Sequence, residues 1–110
     1  MKNIMNTMNL VKKAQEVQSE IAGIQKQLAE QSVTGSASNG AVQITTTAKM
    51  VPQSVKIQPD LLTQVDAETL EDLILVAMKD AKKKSDTAME EAFTELKKRY
   101  NLPDNFDMVA

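Results

Sequence analysis

The residues best placed to do chemistry in this chain are its lysines. Lys79, Lys82, Lys83 and Lys84 fall close together, with Asp80 the one acid among them. Lys97, Lys98 and Arg99 form a second run, and Lys12 and Lys13 form a pair near the start. Cationic side chains at this density can displace counterions from nucleic-acid phosphates, which gives affinity without sequence information. Three or four such contacts per subunit would let a dimer engage roughly six to eight phosphates. Its affinity would then fall by about three to four decades from low to physiological salt. Ordinary helix electrostatics competes for the same residues. Bases late in a helix favour its macrodipole, and Lys82 to Lys84 can pair with Asp80 or Asp86 along a solvated face. Three consecutive lysines also point in three directions, so they cannot all meet one ligand.

The remaining candidates for chemistry are weak. Glu68 and Asp72 lie four apart on one helical face with Glu71 beside them, but nothing nearby supplies a third ligand or an electrophile. Acids at a helix start are expected from the dipole alone. Thr45 to Thr47 have no base beside them, and Gly35 and Gly40 are not followed by the Lys-Ser or Lys-Thr pair of a phosphate loop. Histidine and cysteine are absent, which removes thiolate nucleophiles, disulfides, Cys/His metal sites and imidazole catalysis. Only 3% of residues are aromatic, so stacking platforms for single strands and anchors for a small-molecule pocket are lacking. The sequence therefore points away from an enzyme, and to no cofactor, no metal and no small-molecule substrate. Charge qualifies the nucleic-acid reading: 13 basic against 15 acidic residues leave a formal net charge of −2, so contact depends on local clustering.

The elements that must position these groups are legible. Leu10, Ala14, Val17, Ile21, Ile24 and Leu28 recur at alternating spacings of four and three, a heptad seam that predicts a helix from about Asn3 to Gln31. At 1.5 Å per residue it extends about 40 Å, too far for a compact monomer of this size to cover. Alternating apolar and polar residues then predict a three-stranded meander near 31–36, 41–47 and 53–58. Asn39-Gly40 makes the first turn and Pro59 ends the last strand. One face of this sheet (Val42, Ile44, Val55, Ile57) is apolar and calls for a covering helix. Asp60, Leu61 and Leu62 form a linker turn. Asp66 is a suitable N-cap for a second long helix from about Ala67 to Tyr100, stopped by Asn101 and Pro103.

In that helix Leu73, Ile74, Ala77 and Met78 belong to a stretch that is apolar all round, which calls for burial on several sides. The expected fold is α+β: one domain over residues 1–110, with a loosely ordered tail at 101–110 and Phe106 docking there. Met1, Met5 and Met8 read as a frayed end. The seams that one copy cannot hide predict a homodimer, with Val17, Ile21, Ile24, Leu28, Leu73, Ile74, Ala77 and Met78 at its interface. The opening MKNIMNTMNL lacks the apolar stretch of a signal peptide, and no run approaches a membrane span. With no cysteine, this suits a reducing cytosol.

Longer runs carry a resemblance. NGAVQITTTAKMVPQSVKIQPDLL followed by ETLEDLILVAMKDA, the opening NLVKKAQEVQSEIAGIQKQLAE leading into VTG, and the closing LPDNF are together similar to the YbaB/EbfC nucleoid-associated protein family. The resemblance covers about residues 8 to 106 in the family's order. Thr47-Ala48 stands where members often carry Asn-Gly. The resemblance implies a helix–strands–helix protomer, an intertwined and tweezer-like homodimer, and cytoplasmic, nucleoid-associated binding of double-stranded DNA in bacteria. It implies neither catalysis nor a cofactor. The competing reading from the outline alone is a coiled-coil interaction or chaperone-like module that does not bind DNA.

Overall fold

The computed structural model describes the backbone of residues 2–103 and side chains from Thr7 to Pro103; residues 104–110 of the tail, with Phe106, lie outside the described residues, as do Met1 and the side chain of Met5. Helix α1 spans Lys2–Glu30, strands β1, β2 and β3 span Ser32–Ala37, Val42–Thr47 and Pro52–Ile57, the short helix α2 spans Leu61–Gln64, and helix α3 spans Ala67–Arg99. The sheet is antiparallel in the order β1-β2-β3. The chain divides into two compact units, one of Leu28–Glu90 and one of Met1–Gln27 with Glu91–Ala110.

In the unit holding the sheet, the first hairpin turns at Ser38-Asn39-Gly40, all with positive φ (54°, 56° and 87°), and Ala41 N–H donates to the Ser38 carbonyl at 3.1 Å. Positive φ at both central residues matches the right-handed twist of the flanking strands, which is why Asn-Gly favours a hairpin here. The second turn is built differently. Thr47 Oγ1 accepts from the N–H groups of Lys49 (3.2 Å) and Val51 (3.1 Å), Met50 takes φ 65°, and Met50 N–H donates to the Thr47 carbonyl. A threonine hydroxyl thus organises the turn in place of Asn-Gly chemistry.

Helix α3 starts at the predicted cap: Asp66 Oδ1 accepts from Thr69 N–H at 2.8 Å. Hydrogen bonds from the Thr69 side chain and backbone hold the Asp66 carboxyl below its usual value. The helix then crosses the sheet over Gly35. A Cβ at Gly35 would collide with the backbone of Ala77 and Ala81, so helix and strand meet backbone to backbone. Ala37, Ala41, Val42, Ile44, Leu61 and Ala77 form the core there, with Ile57, Val65, Leu70, Leu73, Ile74 and Met78 packed around it. Leu61 turns the expected linker into a core anchor at the head of α2.

The closeness of α3 to β1 has two results. First, β3 is left aside. Val42 and Ile44 are buried and Ile57 is half-buried, but Val55 is 59% exposed, so the apolar sheet face is only partly covered within the chain. Second, α3 reaches the outer edge of β1. Ser36 N–H donates to Asp80 Oδ2 at 2.9 Å, Lys84 Nζ donates to the Thr34 carbonyl at 2.8 Å, and Lys84 and Asp80 pair at 3.2 Å. One ion pair one helical turn apart thus satisfies two edge groups that a further strand would otherwise satisfy.

In the other unit, α1 and the end of α3 bury Val17, Ile24, Phe93 and Leu96, and Arg99 pairs with Glu20 at 3.2 Å. Helix α3 ends where predicted. Asn101 takes φ 54°, Leu102 N–H donates to the Lys97 carbonyl and Asn101 N–H to that of Lys98, the bonding pattern of a Schellman motif.

Two outcomes follow from this packing. Gly35→Ala should lower stability by about 3 kcal/mol, because the new methyl meets backbone on a rigid helix. That is a fall of about 10 °C in the thermal midpoint, and an unchanged midpoint would contradict the close approach. The Asp80 carboxyl is held below its usual value by the Ser36 N–H first and Lys84 second. Its folded value is depressed, so its contribution is present above the ordinary carboxylate range and is lost as pH falls through the folded value. In a pH series of thermal melts, wild type should therefore exceed Asp80→Asn at neutral pH, and the difference should vanish in strong acid.

Candidate nucleic-acid interface

The cationic runs belong to different units, and their local surroundings separate them. On the middle of α3, Lys79, Lys82, Lys83 and Lys84 are all exposed, yet they are not equivalent. Lys84 is committed to Asp80 and the Thr34 carbonyl. Lys82 pairs with Asp86 at 2.9 Å, with both side chains more than half exposed, a pair that high dielectric makes weak and easily exchanged. Lys79 and Lys83 form no salt bridge among the described residues, although Lys83 lies near enough to Asp80 to help lower its pKa, after Ser36 and Lys84. Four residues apart, they share one helical face, and buried Ala77, Ala81 and Ser85 mark the opposite side of the helix. The sequence grouped four lysines, and the structure leaves two of them exposed side by side and outside any salt bridge among the described residues.

The second unit carries Lys12, Lys13, Lys97, Lys98 and Arg99. Arg99 is held by Glu20, and its guanidinium carbon lies 6.0 Å from the centroid of the Tyr100 ring. Lys97 is half-buried and Lys98 is exposed. Lys12 and Lys13 are exposed on α1, where Lys13 borders an apolar recess lined by Leu10, Ala14, Val17, Ile21 and Leu102. The carboxylates of α3 alternate with the bases along the helix: Glu68, Glu71 and Asp72 precede the lysine cluster, and Asp86, Glu90, Glu91 and Glu95 separate it from the terminal run. Among the described residues no group of His, Cys, Asp and Glu could hold a metal ion.

The role of Asp80 and Lys84 at the β1 edge escaped the sequence. Their spacing of four was legible as an ion pair, but their partners Ser36 and Thr34 lie far away in the chain. The candidate interface residues also sort themselves. Val17, Ile24, Leu28 and Ala77 are already buried within one chain, so little of their surface is left for a partner. Ile21, Leu73, Ile74 and Met78 are half-buried. The large apolar residues left in water are Leu75 (53%), Val76 (51%), Val51, Val55 and Leu62 in the sheet unit, and Met8, Leu10 and Val11 on α1.

Comparison with known proteins agrees with this architecture. A crystal structure of an uncharacterized protein from Helicobacter pylori has the same fold, with a TM-score of 0.66 at 18% identity over 79% of this chain and 92% of that one. A nucleoid-associated protein of Paramagnetospirillum magneticum is 44% identical over 103 residues, covering 94% of this chain and 96% of the relative. One from Bartonella bacilliformis is 38% identical over 105 residues, covering 94% and 97%. The profile of the YbaB/EbfC DNA-binding family matches residues 1–100, and this chain belongs to that family.

Proposed function

We propose that the protein binds double-stranded DNA as a homodimer in the bacterial nucleoid, mainly through phosphate contacts, and influences nucleoid organisation or gene expression without catalysis. The observation that carries this reading is the pair Lys79 and Lys83, exposed on one face of α3 and outside any salt bridge among the described residues, in a chain of a DNA-binding family. Relatives named nucleoid-associated proteins support the location. Among the described residues no helix is long and apolar enough to cross a membrane.

The dimer is supported by what one chain leaves uncovered. Leu75, Val76, Val51 and Val55 all belong to the sheet unit and are all more than half exposed. Exposed apolar surface costs about 25 cal/mol per Å², and a second copy is the most economical cover. The proposed interface therefore draws on Leu75, Val76 and Val55 together with the half-buried Leu73, Ile74 and Met78. Light scattering at micromolar concentration should give twice the chain mass, and a clean single-chain mass would reject the dimer.

The lysines divide into contact and scaffold. Anisotropy titration with duplex DNA should show Lys79→Gln with Lys83→Gln weakening binding by more than about tenfold at an unchanged thermal midpoint. Lys84→Gln should do the reverse, lowering the midpoint while changing affinity little. If the double variant binds like wild type, the assignment of phosphate contacts to this face of α3 fails.

A further inference from the structure

The sheet has a second face, opposite α3. Strand alternation turns Gly35, Ala37, Val42, Ile44, Val55 and Ile57 toward the helix side. The other side carries two cross-strand rows, Thr34–Thr45–Ser54 and Ser36–Gln43–Lys56, set by the registers Thr34↔Thr45↔Ser54 and Ser36↔Gln43↔Lys56. Every one of these six side chains is exposed or half-exposed. Thr34 and Thr45 share a hydroxyl–hydroxyl hydrogen bond at 3.0 Å, which holds the rows in register.

The composition of this face is unusual for the chain. From Gln31 to Pro59 there is no Asp or Glu, although the chain has 15 acidic residues. The same segment carries Lys49, exposed at the second turn, and Lys56 on the polar face, so it is net positive in a chain that is net −2. Hydroxyls, a carboxamide and an ammonium form this surface with no carboxylate of their own, and the Asp80 carboxylate at its β1 edge, which accepts from Ser36 N–H, is paired with Lys84. No aromatic or large aliphatic side chain stands on it, so it offers neither a base-stacking platform nor the buried anchor that protein partners use. Ser, Thr, Gln and Lys side chains are among those that bond sugar and phosphate oxygens, and half to two-thirds of protein–DNA hydrogen bonds are of that kind.

We infer that this polar face of the sheet is a second contact surface for the sugar–phosphate backbone of duplex DNA, with Lys56 meeting a phosphate and the hydroxyl rows and Gln43 bonding around it. The inference rests on the duplex-binding reading above and adds a surface that α3 does not provide. Charge complementarity identifies the occupant: the acid-free segment is where a polyanion meets least repulsion.

The test uses the full-length protein and a duplex at two salt concentrations. Gln43→Glu keeps the side-chain shape, places one carboxylate opposite Lys56 and forms a favourable cross-strand pair. It should raise Kd about tenfold with no loss of thermal stability. Lys56→Gln should reduce the slope of log K against log salt by about 0.9 for each phosphate that is no longer neutralised. Lys56 is exposed, so this variant keeps the test open even if Gln43→Glu folds poorly. A salt slope for Lys56→Gln equal to that of wild type overturns the inference. If that happens while Lys79→Gln with Lys83→Gln abolishes binding, the sheet face is excluded and the duplex-binding reading stands. If the unaltered protein does not bind duplex at either salt, both fall.

Discussion

Gly35 has no side chain, and the backbone of α3 at Ala77 and Ala81 fills the space where one would be. Most of the sheet unit follows from that approach. With the helix lying against β1, Ala77 and Ala81 become fully buried, and small residues are required at both positions. Asp80 and Lys84, between and just beyond them, are brought to the strand edge and bond Ser36 and Thr34. Lys79 and Lys83 are turned toward solvent by the same helical phase. The helix that closes the core therefore also decides which lysines are structural and which are available.

The periodic parts of the fold were readable in the residues. The heptad seam placed α1, alternation placed the three strands to within a residue or so, and Asp66 and Asn101 marked the ends of α3. What could not be read was lateral position. Alternation shows that Val55 shares a face with Ile44, but it does not show which strands a helix will cover. That choice was made by Gly35, which alternation placed in the first strand without showing what would lie against it. Likewise the turn at Thr47-Ala48 departs from the family's usual Asn-Gly, and spacing gives no sign that the Thr47 hydroxyl accepts two backbone N–H groups in compensation.

The candidate site was legible as clusters rather than as contacts. Sequence spacing gathered Lys79, Lys82, Lys83 and Lys84, and family membership gave the cluster a partner chemistry. Spacing could not distinguish Lys84, tied to a carbonyl on the edge of β1, from Lys83, which forms no salt bridge among the described residues. Nor did a net charge of −2 reveal that the acids are confined to the helices, the residues that lead into α2 and α3, and the tail, with none between Gln31 and Pro59. A whole-chain sum averages away the segregation that matters to a polyanion.

The blocked edge of β1 also limits how strands of different molecules can join. A three-stranded sheet ordinarily has two open borders, and a unit with two can add neighbours indefinitely in both directions. Here Asp80 and Lys84 occupy the β1 border, which leaves the β3 border for strand pairing among the described residues. If two molecules meet at those borders, each consumes the other's, and growth stops at a closed pair instead of a filament.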